Sequence, residues 1–313
     1  MQIVDMFIPR DAKGVLFLAL AVFTLVYLVV LARGVAAIRR NAARAGKHVD
    51  ATPTPARIAV GAITNFFDTL GIGSFATTTS IFRFFRMVPD ETLPGTLNVG
   101  HTLGAITQTF IFTRLVPVES TTLVSMIVAA VAGSWLGAGV VAGWPRGRIQ
   151  WGMGLCLLGA ATLMFLSQTG LLPGGGTALG VTGGKLGIAV VGNFVLGALM
   201  TLGIGLYAPC LILVSLLGMD PIAGFPIMMG SCAFLMPVSS ARFIQKRAFH
   251  VGASLGLVIG SIPAVILAVV WVTSLPLPAV RWLVIVVVVY TATNMLLTAR
   301  RERRAFAPAA MVE

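Results

Sequence analysis

The sequence predicts an all-α polytopic membrane protein of two inverted repeats, each a re-entrant or broken helical hairpin followed by three transmembrane helices, with one extra helix in front. Three observations predict it. First, 57% of the 313 residues are hydrophobic and only 10% charged, with a mean hydropathy of +0.96, whereas a soluble domain carries about 25% charged residues. Second, the charges are clustered. No charge falls in Gly14–Ala32, Ser120–Pro145, Leu186–Met219 or Val251–Val280, and a bilayer-spanning helix needs roughly 20 apolar residues. Several such runs, each bounded by charges, argue against a large buried soluble core. Third, Thr69-Leu70-Gly71-Ile72-Gly73 recurs letter for letter as Thr201-Leu202-Gly203-Ile204-Gly205, at the head of two similar halves, as a duplication requires.

Taken in order, Gly14 to about Leu31 reads as a retained helix. It is longer than the 7–15 residues of a signal-peptide core, and Asp5 and Asp11 do not suit a basic leader. A basic polar stretch with Arg33, Arg39, Arg40, Arg44, Lys47 and Arg57 follows and is expected on the cytoplasmic side. Apolar segments then occupy about 58–86, 93–115, 120–143, 149–171, 186–218, 222–244, 250–274 and 281–299. The tail with Arg300, Arg301, Arg303 and Arg304 is again expected in the cytoplasm. The chain therefore divides into an N-terminal helix and basic loop (1–56), a first repeat (57–184), a second repeat (185–299) and a basic tail (300–313).

Charge bias selects the topology. If every segment crossed once, Arg83, Arg86, Arg146 and Arg148 would lie outside. If 58–86 and 186–218 dip in and return, these arginines join Arg242, Lys246, Arg247 and the tail on the cytoplasmic side, leaving Arg114, Lys185 and Arg281 as exceptions. The run Leu186–Met219 is too long for one ordinary span and suits two half-helices, with glycines supplying the break. A hairpin plus three spans crosses an odd number of times, so the halves are inverted, an arrangement common in secondary transporters.

Several classes are excluded. The net charge of +12 comes from short basic clusters between apolar segments, which is a topology signal and not a nucleic-acid surface. Cys156, Cys210 and Cys232 lack metal-ligand spacing and read as buried thiols, so no metal is expected. The Gly-x-Gly motifs lack a strand–helix context and a downstream acid, and no phosphate-binding loop is present. No cofactor is expected. The three histidines, His48, His101 and His250, are widely separated, which tells against a membrane enzyme.

Irregular backbone at membrane depth is tolerated only where it is surrounded by protein or lines a cavity, so the two broken segments mark a central site. Half-helix N-termini favour an anion. The expected binding residues are Gly71, Gly73, Thr77, Thr78, Gly203, Gly205, Tyr207 and Cys210 at the tips, with Asn98, His101 and Ser231 on the spans that follow. Close helix packing by small residues is the alternative. Asp68, inside an apolar segment, either carries a coupling proton or pairs with Arg83 or His101. Gln108, Ser239 and Ser240 are polar but equally suited to helix–helix hydrogen bonds.

At these residues the chain resembles the sulfite exporter TauE/SafE family, the four-TMS sulfur-compound permeases. The likeness covers about 57–299. It is clearest at Gly203-Ile204-Gly205-Leu206-Tyr207-Ala208-Pro209-Cys210, Leu217-Gly218-Met219-Asp220 and Phe225-Pro226-Ile227-Met228-Met229-Gly230-Ser231. The first half departs from the family's pattern, with Thr77 where Pro209 stands in the second. The resemblance implies a non-enzymatic permease in a bacterial cytoplasmic membrane, C-terminus inside. Its implied cargo is sulfite, thiosulfate, an organosulfonate or a small carboxylate. The expected partners are this small anion and the lipid bilayer, and a homo-oligomer is compatible with the reading. A channel is the competing transport class.

Overall fold

Eleven α-helices run through the residues described by this computed structural model, namely 12–46, 49–141, 146–169, 171, 176–200, 205–273 and 277–306. They are α1 (Ala12–Arg44), α2 (Pro55–Thr69), α3 (Ser74–Phe84), α4 (Leu93–Leu115), α5 (Ser120–Val141), α6 (Arg146–Gln168), α7 (Gly183–Met200), α8 (Tyr207–Leu216), α9 (Gly224–Gln245), α10 (Val251–Thr273) and α11 (Leu277–Phe306). Five of them, α1, α7, α9, α10 and α11, contain stretches long and apolar enough to cross a membrane, as in a multi-pass membrane protein. Large apolar side chains such as Val26, Val128, Val191, Leu267, Val270 and Val286 are exposed on the outside of the bundle. In water such a belt would be a liability, whereas lipid solvates it.

Helices α4 and α9 pack against each other at the centre. The apolar stretch containing α9 is 83% buried, against 22% for that of α1 on the periphery. Burial lets α4 carry polar residues that a lipid-facing helix could not. Thr96, Thr102, Thr107 and Thr109 each donate a hydroxyl to the carbonyl four residues back, at 2.6–2.8 Å, which satisfies them within their own helix. Around this pair, α2 packs on α10, α7 on α5 and α6 on α11. Glycine makes two of these contacts close. A Cβ at Gly61 or Gly260 would collide with the backbone of the facing helix, and so would one at Gly133 or Gly197, so the paired backbones touch.

The segment expected to dip and return at 58–86 is α2 and α3. Helix α2 ends in a Schellman turn. The amide of Ile72 donates to the Phe67 carbonyl at 3.2 Å and that of Gly71 to the Asp68 carbonyl at 2.9 Å, with Gly71 at φ +94°. Val60 near the start of α2 and Phe82 near the end of α3 share one apolar cluster with Val88, Leu93 and Leu257, so both legs open on the same face of the bundle. In 186–218, α7 and α8 do likewise: Lys185 Nζ at the start of α7 donates to the Leu217 carbonyl at the end of α8, at 3.0 Å. The two pairs open at opposite ends of α4. Thr96, near its start, receives a hydrogen bond from the His250 amide beyond α9. Past its other end, the Glu119 amide bonds the Leu179 carbonyl in the segment before α7.

Two helices are longer than the sequence predicts. Helix α1 runs on to Arg44, so Arg33, Arg39, Arg40 and Arg44 lie on helix and not in a polar loop. The stretch is rich in alanine and arginine, both good helix formers, and Gly34 fits against Ile244 of α9. Helix α1 is also tied to the centre, where the Tyr27 hydroxyl donates to the Val99 carbonyl of α4 at 2.6 Å. Helix α11 likewise continues through the basic residues 300–304 to Phe306.

On the face where α2 begins, Arg57 is 8% exposed and grips Asp50 through two hydrogen bonds of 3.0 and 2.6 Å. This guanidinium holds the Asp50 carboxyl down at about 2. His250 stands 3.6 Å from the same carboxylate, and partial burial lowers its pKa. On the opposite face Glu119 caps α5, accepting from the Thr121 and Thr122 amides at 2.8 and 2.6 Å. Its pKa falls to about 2, because these hydrogen bonds outweigh the cost of desolvation.

Candidate functional site

A small cavity lies where the two helix breaks meet the middles of α4 and α9. It is lined by Asp68, Gly73, Ser74 and Phe75 of the first break, by Met200, Gly205, Leu206 and Tyr207 of the second, and by His101, Ala105, Cys232 and Met236. Its volume is about 30 Å³, enough to hold water. No lysine or arginine is among the lining residues, and the only carboxylate there is Asp68. The sulfur atoms of Cys232 and Met200 are 3.6 Å apart on one wall.

Asp68 is the hub. Its Oδ1 accepts from the Ser74 amide at 2.6 Å and its Oδ2 from Gln108 Nε2 at 2.9 Å. Ser74 opens α3, so the carboxylate caps that half-helix, where an anion is favoured by free amides and by the dipole. Gln108 Nε2 also donates to Thr69 Oγ1 at 3.0 Å, and Gln108 Oε1 accepts the Tyr207 hydroxyl at 2.8 Å. A continuous chain of hydrogen bonds therefore joins the first break, through α4, to the second. The carboxylate bonds neither Arg83 nor His101, the partners the sequence offered. Its two oxygens are taken instead by the Ser74 amide and Gln108.

His101 is fully engaged. Its Nδ1 lies 3.0 Å from Asn65 Nδ2 and its Nε2 3.0 Å from Thr78 Oγ1. Asn65 Nδ2 also donates to the Gly61 carbonyl at 2.7 Å, so the amide nitrogen is the donor to Nδ1. The ring is then a neutral Nε2–H tautomer donating to Thr78. It braces α2, α3 and α4 against one another while one edge faces the cavity.

Of the expected binding residues, Gly73, His101, Gly205 and Tyr207 line the cavity together with Asp68, and Thr78 stands behind His101. The others are not brought to it. Gly71 forms the turn and faces Leu211, Met228 and Val287. The Thr77 hydroxyl turns back to the Ser74 carbonyl at 2.9 Å. Asn98 donates to the Pro94 carbonyl of its own helix. Cys210 is wholly buried in the apolar core. Ser231 bonds Asn193 and the Ile227 carbonyl, at 3.0 and 2.7 Å. In each case a nearer backbone or packing partner claims the group. Gly203 lies outside the described residues.

The sequence reading gave no special place to Gln108, Met200, Cys232 or Met236. Gln108 had a signal: it follows His101 by seven residues, two helical turns, and so lies on the same face of α4. Met200 had the opposite of one, since it takes the place of Asp68 in the second motif and reads as plain apolar filling.

Fold and site define a class: an all-α chain with several apolar helices long enough to cross a membrane, enclosing a small cavity between two interrupted helices. Among the described residues, no group of three or more histidine, cysteine or acidic side chains is placed to hold a metal. Comparison with family models, curated proteins and solved structures gave no match.

Proposed function

We propose that this protein is a secondary transporter that moves a small anion across a cytoplasmic membrane, and that the cavity between the two helix breaks is its binding site. The observation that carries the proposal is the convergence of two interrupted helices on one buried cavity that contains a half-helix amide terminus and a lone carboxylate. Broken helices at mid-depth are costly unless they serve a pathway.

An inverted duplication accounts for the packing. Under it α2–α6 correspond to α7–α11. The pairing of α2 with α10 then has its counterpart in that of α7 with α5, while α4–α9 and α6–α11 map onto themselves. Individual contacts follow the same rule. Gly100 is pressed against Leu257, and Gly230 against Ile127, each residue displaced by 130 positions from its counterpart. The Asn65–His101 contact has its parallel in Asn193–Ser231.

The resemblance to sulfite exporter TauE/SafE permeases favours sulfite or an organosulfonate as cargo, with a small carboxylate as the runner-up. An anion entering this cavity meets Asp68 and no basic side chain, so entry requires a neutral carboxyl. That requirement makes Asp68 the proton-coupling residue and favours a coupled transporter over a channel. The test is uptake of labelled sulfite, methanesulfonate, thiosulfate and acetate into proteoliposomes with and without a pH gradient. Gradient-driven accumulation of one of them is expected. Flux of every anion indifferent to the gradient would indicate a channel, and no flux at all would overturn the reading.

A further inference from the structure

We propose that the Asp68 carboxylate is a tethered stand-in for the transported anion. It holds the half-helix amide that the anion needs and yields it only on taking up a proton, so one proton enters with each anion. The inference rests on the anion-transporter reading and adds the mechanism by which the two ions are tied together.

Three observations carry it. Asp68 Oδ1 is 2.6 Å from the Ser74 amide, the first N–H of α3, so the position where a half-helix would receive an anion already holds one. The free cavity beside it is small, about 30 Å³, so an anion that enters it lies directly against this carboxylate. Among the described residues the first break leaves room for the carboxyl to move: no atom lies within 4 Å of where a Cβ would stand on Gly73. Two adjacent negative charges with no cation among the lining residues would repel strongly.

The exchange balances simply. A proton adds to a carboxylate oxygen of Asp68, and the Ser74 N–H changes acceptor from Asp68 Oδ1 to an oxygen of the incoming anion. The carboxyl, now a donor, can turn its O–H toward the same anion. Release of the anion and the proton restores the cap. Among the described residues, no other titratable group facing Asp68 is free to take its place. On α4, His101 is held at both nitrogens by Asn65 and Thr78, and Gln108 does not titrate. On α8 the Tyr207 hydroxyl is committed to Gln108, and on α9 the Cys232 thiol lies against Met200 of α7.

The test uses the purified full-length protein with methanesulfonate and thiosulfate, whose charges do not change between pH 5 and 8. Affinity is measured across that range, and proton uptake on anion addition is read in weak buffer. The wild type is expected to take up one proton per anion, its affinity falling about tenfold per pH unit above the carboxyl's ionisation. Asp68→Asn, which cannot become anionic, should bind at a pH-independent affinity with no proton uptake. In proteoliposomes it should exchange anion without accumulating it. Wild-type binding without proton uptake, or Asp68→Asn binding that still follows pH, would overturn the inference and leave the transporter reading standing. Should Asp68→Asn fail to fold, the wild-type proton count decides alone. Binding of neither anion by the wild type at any pH would overturn both.

Discussion

Replacement of Gly205 by valine tests the site most directly. Gly205 joins the second break to α8 and lines the cavity. No described atom lies within 4 Å of an added Cβ, so a side chain there meets no clash among the described residues. It would instead project into free space. That space is small, about 30 Å³, and the three carbons of valine would take up room that the anion needs. The expected loss in kcat/KM for anion uptake is at least 100-fold, about 2.7 kcal/mol, while thermal stability shifts by less than about 1 kcal/mol. Gly205→Ala should fall between valine and wild type. Gly73→Val is a poorer probe, because Gly73 has φ +85° and a branched residue there costs roughly 1–2 kcal/mol in backbone strain alone. The assay is proteoliposome uptake beside a melting curve of the same sample. Wild-type KM and rate in a fully inserted Gly205→Val protein would refute the placement of the site.

Three other outcomes follow from the hydrogen-bond network and the two faces. Tyr207→Phe strips Gln108 Oε1 of its hydroxyl partner in a buried setting, so melting should show a loss of about 1–3 kcal/mol. Adding Gln108→Leu to it should cost less than the sum of the two single changes. Asp50, held at about 2 by Arg57, contributes stability that is fully present above its ordinary value of about 4 and is lost as pH falls toward 2. The loss of melting temperature in Arg57→Met should therefore be full at pH 8 and shrink as pH falls from about 4 toward 2, and a loss that does not shrink there would mark a different origin. In a cysteine-free background, a cysteine at position 148 should resist an impermeant maleimide applied to intact cells, whereas one at Lys185 should react. Ready labelling at 148 would sink the predicted topology.

The all-helical character and the two breaks were legible in the sequence, because they depend on local chemistry. Uncharged runs of spanning length impose helix wherever backbone must satisfy itself, and Gly71 and Gly73, both at positive φ, mark the first interruption at the residues that permit it. The ends of α1 and α11 were not legible, since arginines that mark a boundary in hydropathy are themselves good helix formers.

Partner choice was decided by tertiary structure. Asp68 could have met a cation. It meets the Ser74 amide and Gln108 instead, because the Schellman turn at Gly71 folds α3 back onto the end of α2. His101 could have faced a ligand with both nitrogens, yet Asn65 and Thr78 claim them once α2, α3 and α4 are packed. Asn98, Thr77, Cys210 and Ser231 had the right chemistry, but carbonyls of their own helices hold the first two and Ser231, and Cys210 packs in the apolar core. A sequence states which groups lie in the apolar segments; the distance and direction that turn a few of them into a site arise only when the helices are packed.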